Sequence, residues 1–124
     1  MRTTVKHTSI RIDRYVLETL MVDLVGHDRS PSAFLVYLTL WNATGGREKT
    51  KVERSHRQLA EDTGLSKSAV QGAVRRLVKR RLIGVARASS TATPEYSILK
   101  PWERGWSSGL EQGREPEPVR SGPR

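Results

Sequence analysis

The spacing of apolar residues changes period several times along the chain, and each change predicts an element. Thr8 to Asp13 alternates polar and apolar residues, with Ile10 and Ile12 on one face, as a short strand does. Beyond it, Tyr15, Leu17, Leu20, Met21 and Leu24 fall at helical intervals and predict an amphipathic helix that ends at Gly26. Ser30 and Pro31 open another helix: the serine is a capping residue, and proline suits a first turn where its missing donor costs nothing. Phe34, Leu35, Leu38 and Trp41 give that helix its apolar stripe, with Tyr37 and Trp41 as core residues, and it should end over residues 42–46.

The stretch from Ser55 to Ile83 is the most closely punctuated. Ser55 offers its hydroxyl to the free donors at a helix start and Gln58, three residues on, reaches back, which makes a capping box. Leu59 and Ala60 face inward, Gly64 supplies the positive φ that ends a helix cheaply, and Leu65 fills the corner. Ser66 then caps a second helix whose Val70, Ala73, Val74 and Leu77 form one buried stripe. Its opposite face carries Ser68, Gln71, Gly72, Arg75, Arg76 and Lys79. After Ile83 the period becomes two: Val85 and Arg87, then Tyr96 and Ile98, flank a small-polar loop from Ala88 to Glu95, as in a hairpin. Thr50 to Arg54 is a candidate strand to pair with it.

This segment resembles the helix-turn-helix of bacterial winged-helix regulators of the GntR and MarR type. The residues that carry the resemblance are Leu59, Ala60, Gly64, Leu65, Ser66, Val70, Ala73, Val74, Leu77, Leu82 and Ile83. Arg81 departs from the pattern, for those families usually place a glycine there. Either Arg81 takes the left-handed conformation, at about 1 kcal/mol, or the helix runs on by a residue. The resemblance implies a mainly α fold with a small β-hairpin: a winged helix-turn-helix of three core helices plus a wing, over residues 30–102. Residues 1–29 would be a strand-helix extension that supplies a homodimer contact through residues 5–29. Residues 103–124, rich in Gly and Pro with balanced charge, are expected to be disordered, with Trp102 and Trp106 at their root and Trp102 the better candidate to pin them.

Charge sharpens the picture. The net charge is +9, and residues 55–101 hold nine Lys and Arg against three Asp and Glu, so the excess lies on the helix-turn-helix. A field of that sign attracts polyanions over a Debye length. There are no cysteines, so disulfides and thiolate metal sites are excluded; the first ten residues lack an apolar signal core, and no apolar run approaches the length of a membrane span. A cytoplasmic protein without membrane association is the expectation. The histidines are His7, His27 and His56, in no metal-binding spacing, and the His27-Asp28 pair lacks the further ligands that metal phosphohydrolases need. No enzyme activity, metal or cofactor is therefore expected.

The resemblance and the charge together imply binding of double-stranded DNA, with the second helix in the major groove. Ser68, Gln71 and Arg75 are the candidates for base edges, because Gln fits adenine and Arg fits guanine with two parallel hydrogen bonds. Gly72 is unusual inside a helix and makes sense where backbone approaches DNA closely. Arg57, Ser66, Lys67, Arg76, Lys79 and Arg80 are candidates for phosphates, and Arg87, Ser89, Ser90 and Thr91 for wing contacts. A transcriptional regulator is the first reading; a replication initiator, or a winged helix that docks an acidic protein, are alternatives. Residues 5–42 also resemble a ribbon-helix-helix protein, in which His7, Ser9 and Arg11 would read bases from paired strands of a dimer.

Overall fold

The structure, a computed structural model, describes residues 8–103. His7, Trp106 and all but the first residue of the expected disordered tail lie outside the described residues.

Residues 8–13 form no strand, contrary to the alternation of their side chains. They run as irregular backbone beside the helix that follows Ser30, and the carbonyl of Arg11 accepts a 2.7 Å hydrogen bond from the Trp41 indole Nε1. Alternation describes side chains; the backbone forms a strand only beside a free edge, and none is used here. Helix follows over residues 14–27, π-helical along Val16–Leu20 and Val22–His27. Its buried side chains are Val16, Leu20 and Leu24, four residues apart, while Leu17 and Met21 of the expected stripe are 44% and 39% exposed. At 3.6 residues per turn a four-residue spacing drifts round the helix, whereas wider i→i+5 winding keeps it nearer one line. The helix passes through Gly26, and the left-handed residue that ends the segment is Arg29, at φ 54°.

Helix α1, Pro31–Thr44, is the centre of the fold. Ser30 stands at its N-cap position but makes no side-chain cap; its backbone N–H instead donates to Leu24 (2.7 Å), tying α1 to the segment before it. Ala33, Val36, Tyr37, Leu40 and Trp41 of α1 are buried. Strand β1 (Val52–Glu53), α2 (His56–Thr63), α3 (Lys67–Lys79), β2 (Ile83–Ala86) and β3 (Glu95–Ile98) follow. The sheet is antiparallel in the order β1-β3-β2, with Tyr96 opposite both Val52 and Val85 and Ile98 opposite Ile83. That register turns Tyr96 and Ile98 inward, as their period of two predicts.

One hydrophobic cluster joins these layers: α1, Leu59 of α2, Val70, Ala73 and Leu77 of α3, the inward sheet residues, and Val16, Leu20 and Leu24 from the N-terminal helix. The apolar face of residues 14–27 that a ribbon-helix-helix would reserve for its own dimer core is thus used within the chain. The run 99–102 closes the far side. The Leu99 N–H donates to Leu82 (2.8 Å), its carbonyl accepts from the Tyr37 hydroxyl (3.0 Å), and the Lys100 ammonium lies 4.8 Å from the centre of the Trp41 ring. Trp102 stacks on Tyr15, ring centres 4.6 Å apart. The fold is mainly α with a small sheet, the expected class.

Candidate nucleic-acid interface

Local chemistry sets the geometry of the helix-turn-helix. The capping box at α2 is complete: Gln58 N–H donates to Ser55 Oγ at 3.0 Å, and Ser55 N–H to Gln58 Oε1 at 2.8 Å. Gly64, at φ 82°, ends α2 with its N–H on the Ala60 carbonyl, 2.8 Å away. Thr63 fastens the turn, its hydroxyl donating to Leu59 (2.7 Å) and accepting from Leu65 N–H (3.2 Å). Sequence reasoning passed over Thr63, although threonine beside a glycine turn is a recognisable local signal. Ser66 caps α3 by accepting from Ala69 N–H at 3.1 Å.

The end of α3 resolves the question at Arg81. Arg81 is left-handed, at φ 60°; its N–H donates to Val78 (3.0 Å) and the Leu82 N–H to Leu77 (2.9 Å). This is a Schellman motif with arginine where glycine is usual, accompanied by burial of Leu77 and Leu82.

Burial of Val70, Ala73 and Leu77 turns the opposite face of α3 outward. Ser68, Arg75 and Lys79 are exposed there, with Gln71, Gly72 and Arg76 half-exposed between them. Ser66 and Lys67 lie exposed at the start of the helix, and Arg57 in the first turn of α2.

The basic residues divide by what already holds them. Arg80 is engaged inside the protein: its Nε and Nη2 each donate at 2.8 Å to the two carboxylate oxygens of Asp28, whose side chain is only 8% exposed. The Arg80 bond holds the Asp28 carboxyl below the usual carboxylate range, with further help from the charges of Arg80 and Arg76, and Asp28 in turn raises Arg80. Arg80, expected at a phosphate, thus has an acidic partner within the chain. Arg76 leans the same way, 4.0 Å from Asp28. Arg57 makes an exposed pair with Glu61 at 3.4 Å. The side chains of Lys67, Gln71, Arg75 and Lys79 have no hydrogen bond or ion pair among the described residues.

Gly72 has no internal reason to be glycine. A Cβ there would touch only Arg75 Nη2, at 3.9 Å.

The wing is the β2-β3 hairpin. Arg87 donates from Nη1 to the Ala92 carbonyl (3.0 Å), folding the loop back on itself, and Ser89 and Thr91 share a hydroxyl contact of 3.4 Å. Ser90 is exposed beside them. Pro94 accepts from Arg54 N–H (3.2 Å), which fixes the base of the wing to β1. His56, the first residue of α2, is half-buried and held below the usual histidine range by burial and by the charges of Arg87 and Lys67. Among the described residues no His, Asp and Glu cluster suits a metal ion, and no helix is long and apolar enough to cross a membrane.

No protein-family model matches the sequence, and no curated protein is significantly similar to it. Solved structures do match. One, the structure of a Rep–DNA complex, aligns over 94% of this chain and 100% of its own, with a TM-score of 0.51 and 15% identity. A MarR family transcriptional regulator from Silicibacter pomeroyi aligns over 79% of this chain at a TM-score of 0.47 and 11% identity; the present chain spans 61% of its length. A MarR family regulator from Neisseria meningitidis aligns over 82% of this chain and 75% of its own, at 0.43 and 16%. With α1, the capped α2-turn-α3 unit and the three-stranded sheet in this arrangement, the chain has the winged helix-turn-helix fold.

Proposed function

We propose that the chain binds double-stranded DNA by laying the outer face of α3 in the major groove, and that it acts as a transcriptional regulator rather than an enzyme. One observation carries the reading. The side chains of Gln71, Arg75 and Lys79, on the face of α3 turned away from the core, have no partner among the described residues, while the neighbouring Arg80 gives its Nε and Nη2 to Asp28. A cation on a surface of net positive charge that has no internal partner is available to an external anion.

In this reading Ser68, Gln71 and Arg75 meet base edges, with Gly72 admitting the backbone close to the duplex. Lys67, Arg76 and Lys79 meet phosphates. The wing adds Arg87 and its loop hydroxyls. That a chain of the same fold occurs in a Rep–DNA complex supports DNA as the partner, and keeps a replication role as the second reading. Leu17, Met21 and Val25, exposed at four-residue intervals on the N-terminal helix, are the surface on which a second copy would pack. Two copies would read two half-sites about one helical turn apart.

The test is binding of a random-sequence duplex over a range of salt concentrations. Groove binding gives a log-log slope of roughly −0.9 per phosphate neutralised. A module that docks on an acidic protein would leave the duplex unbound.

A further inference from the structure

The first turns of α2 and α3 and the wing loop border an open hollow of about 250 Å³. That is several times the roughly 30 Å³ share of one water, and has room for a phosphate group. Arg57, Lys67 and Arg87 line it, together with His56, Thr91 and Thr93. No carboxylate is among its lining residues. Lys67 has no partner among the described residues, Arg87 spends one N–H on Ala92, and the Arg57–Glu61 pair is exposed and therefore weak. Three cations gathered round one hollow repel each other until an anion enters. The capping box already occupies Ser55 and the Gln58 N–H, so side chains rather than those capped groups would hold it.

We propose that this hollow receives one backbone phosphate of bound DNA, with Arg57, Lys67 and Arg87 as counter-charge and His56 as a further donor that takes up a proton as the phosphate arrives. The inference rests on the DNA-binding reading and adds to it a site beside the groove-facing surface of α3, and a proton to the binding reaction.

The groups around His56 set the sign. Lys67 faces it from α3 and Arg87 from the end of β2; Arg57 follows it on α2, and the wing loop brings Thr91, Ala92, Thr93 and Pro94, none of them charged. Glu53 and Glu95 line a neighbouring hollow that shares Arg87. In the free protein, burial and these cations keep the imidazole neutral near pH 7. A phosphate reverses the local field and raises its proton affinity. Because the bound form then has the higher pKa, affinity rises as pH falls through the interval between the free and bound values, and is level on either side.

The experiment is titration of a labelled duplex with the full chain at fixed ionic strength, from about pH 8 to about pH 5.5, with calorimetry in buffers of different ionisation enthalpy. The expected result is a gain in affinity of roughly threefold to tenfold toward the acid end, where tenfold corresponds to one pKa unit. Net proton uptake should accompany it, and His56→Gln should abolish both, holding the duplex at every pH about as weakly as the unaltered chain does at the alkaline end. Inorganic phosphate at matched ionic strength is the control, and if it moved the His56 imidazole resonances as far as the duplex does, the assignment to the DNA backbone would be wrong. Duplex binding without proton uptake, or a pH dependence that survives in His56→Gln, overturns the proposal and leaves DNA binding standing. Failure to bind duplex at any pH overturns the DNA reading itself.

Discussion

Arg80 at the end of α3 and Asp28 at the end of the N-terminal helix, 52 residues apart in sequence, meet through two parallel 2.8 Å hydrogen bonds. Each partner is followed by a left-handed arginine, Arg29 at φ 54° and Arg81 at φ 60°, so the pair joins two helix ends at the point where the backbone turns away from each. Asp28→Asn should lower stability by about 1 to 3 kcal/mol, the range for charge-assisted hydrogen bonds, with the partial exposure of Arg80 favouring the lower half. Urea midpoints measure it. The pH dependence follows from the depressed Asp28 pKa. Its contribution is complete above the unfolded value of about 3.9 and is lost as pH falls through the lower, folded value. The gap between the two proteins should therefore be constant at neutral pH and close in acid.

Arg75, Lys79 and Arg80 should separate into three behaviours when each is changed to alanine. Arg75→Ala is expected to relax preference at one base pair and cost about 1 to 3 kcal/mol on specific DNA. Lys79→Ala should reduce the salt slope by about one unit and leave sequence preference alone. Arg80→Ala should unfold at lower urea, with little change in the slope. Selection from a random duplex library, read with salt titrations, distinguishes these outcomes; equal loss on all sequences for Arg75→Ala would demote it to a phosphate contact.

Gly72→Ala gives opposite signs for folding and binding. Alanine in a helix interior gains about 1 kcal/mol over glycine, and the new Cβ meets nothing closer than Arg75 Nη2 at 3.9 Å, so the melting temperature should rise. Duplex affinity should fall if the helix backbone lies close to the bases. A variant that is both more stable and equally tight would show that Gly72 does not face DNA.

Arg81→Gly relieves the left-handed strain. The expected gain is up to about 1 kcal/mol, because glycine carries no Cβ penalty at φ 60°. Chemical denaturation tests it, and a loss of stability would mean that the arginine side chain contributes more than its backbone costs.

The Ser55–Ile83 unit was legible because its signals are local. Capping by Ser55 and Ser66, the glycine at 64 and the buried stripe of α3 each depend on residues within four or five positions, and the backbone follows them. Tyr96 and Ile98 were legible for the same reason, through their period of two. The N-terminal third was not. A spacing of four in Val16, Leu20 and Leu24 reads as ordinary helix with Leu17 and Met21 inward, unless π winding is known. Residues 8–13 alternate without a neighbouring edge to make them a strand. Asp28 carried no local signal at all; beside His27 it suggested only an incomplete metal motif, since its partner is an arginine from another helix. Because that partner lies 52 residues away, nothing near Arg80 in the sequence set it apart from the other cations of α3. For the candidate site, the outward face of α3 could be drawn from periodicity, whereas which of its cations are free depended on the tertiary structure.

The run 99–102 serves as a clasp rather than a connector. It satisfies the Tyr37 hydroxyl, lays an ammonium on Trp41 and sets Trp102 on Tyr15, so residues from both sides of the helix-turn-helix depend on it. During synthesis these four residues leave the ribosome after every helix that carries the proposed interface. Until they do, Tyr15 lacks its stack with Trp102, and the N-terminal helix lacks part of its cover. A nascent chain can therefore assemble the surface proposed to read DNA before it has sealed the core beneath it.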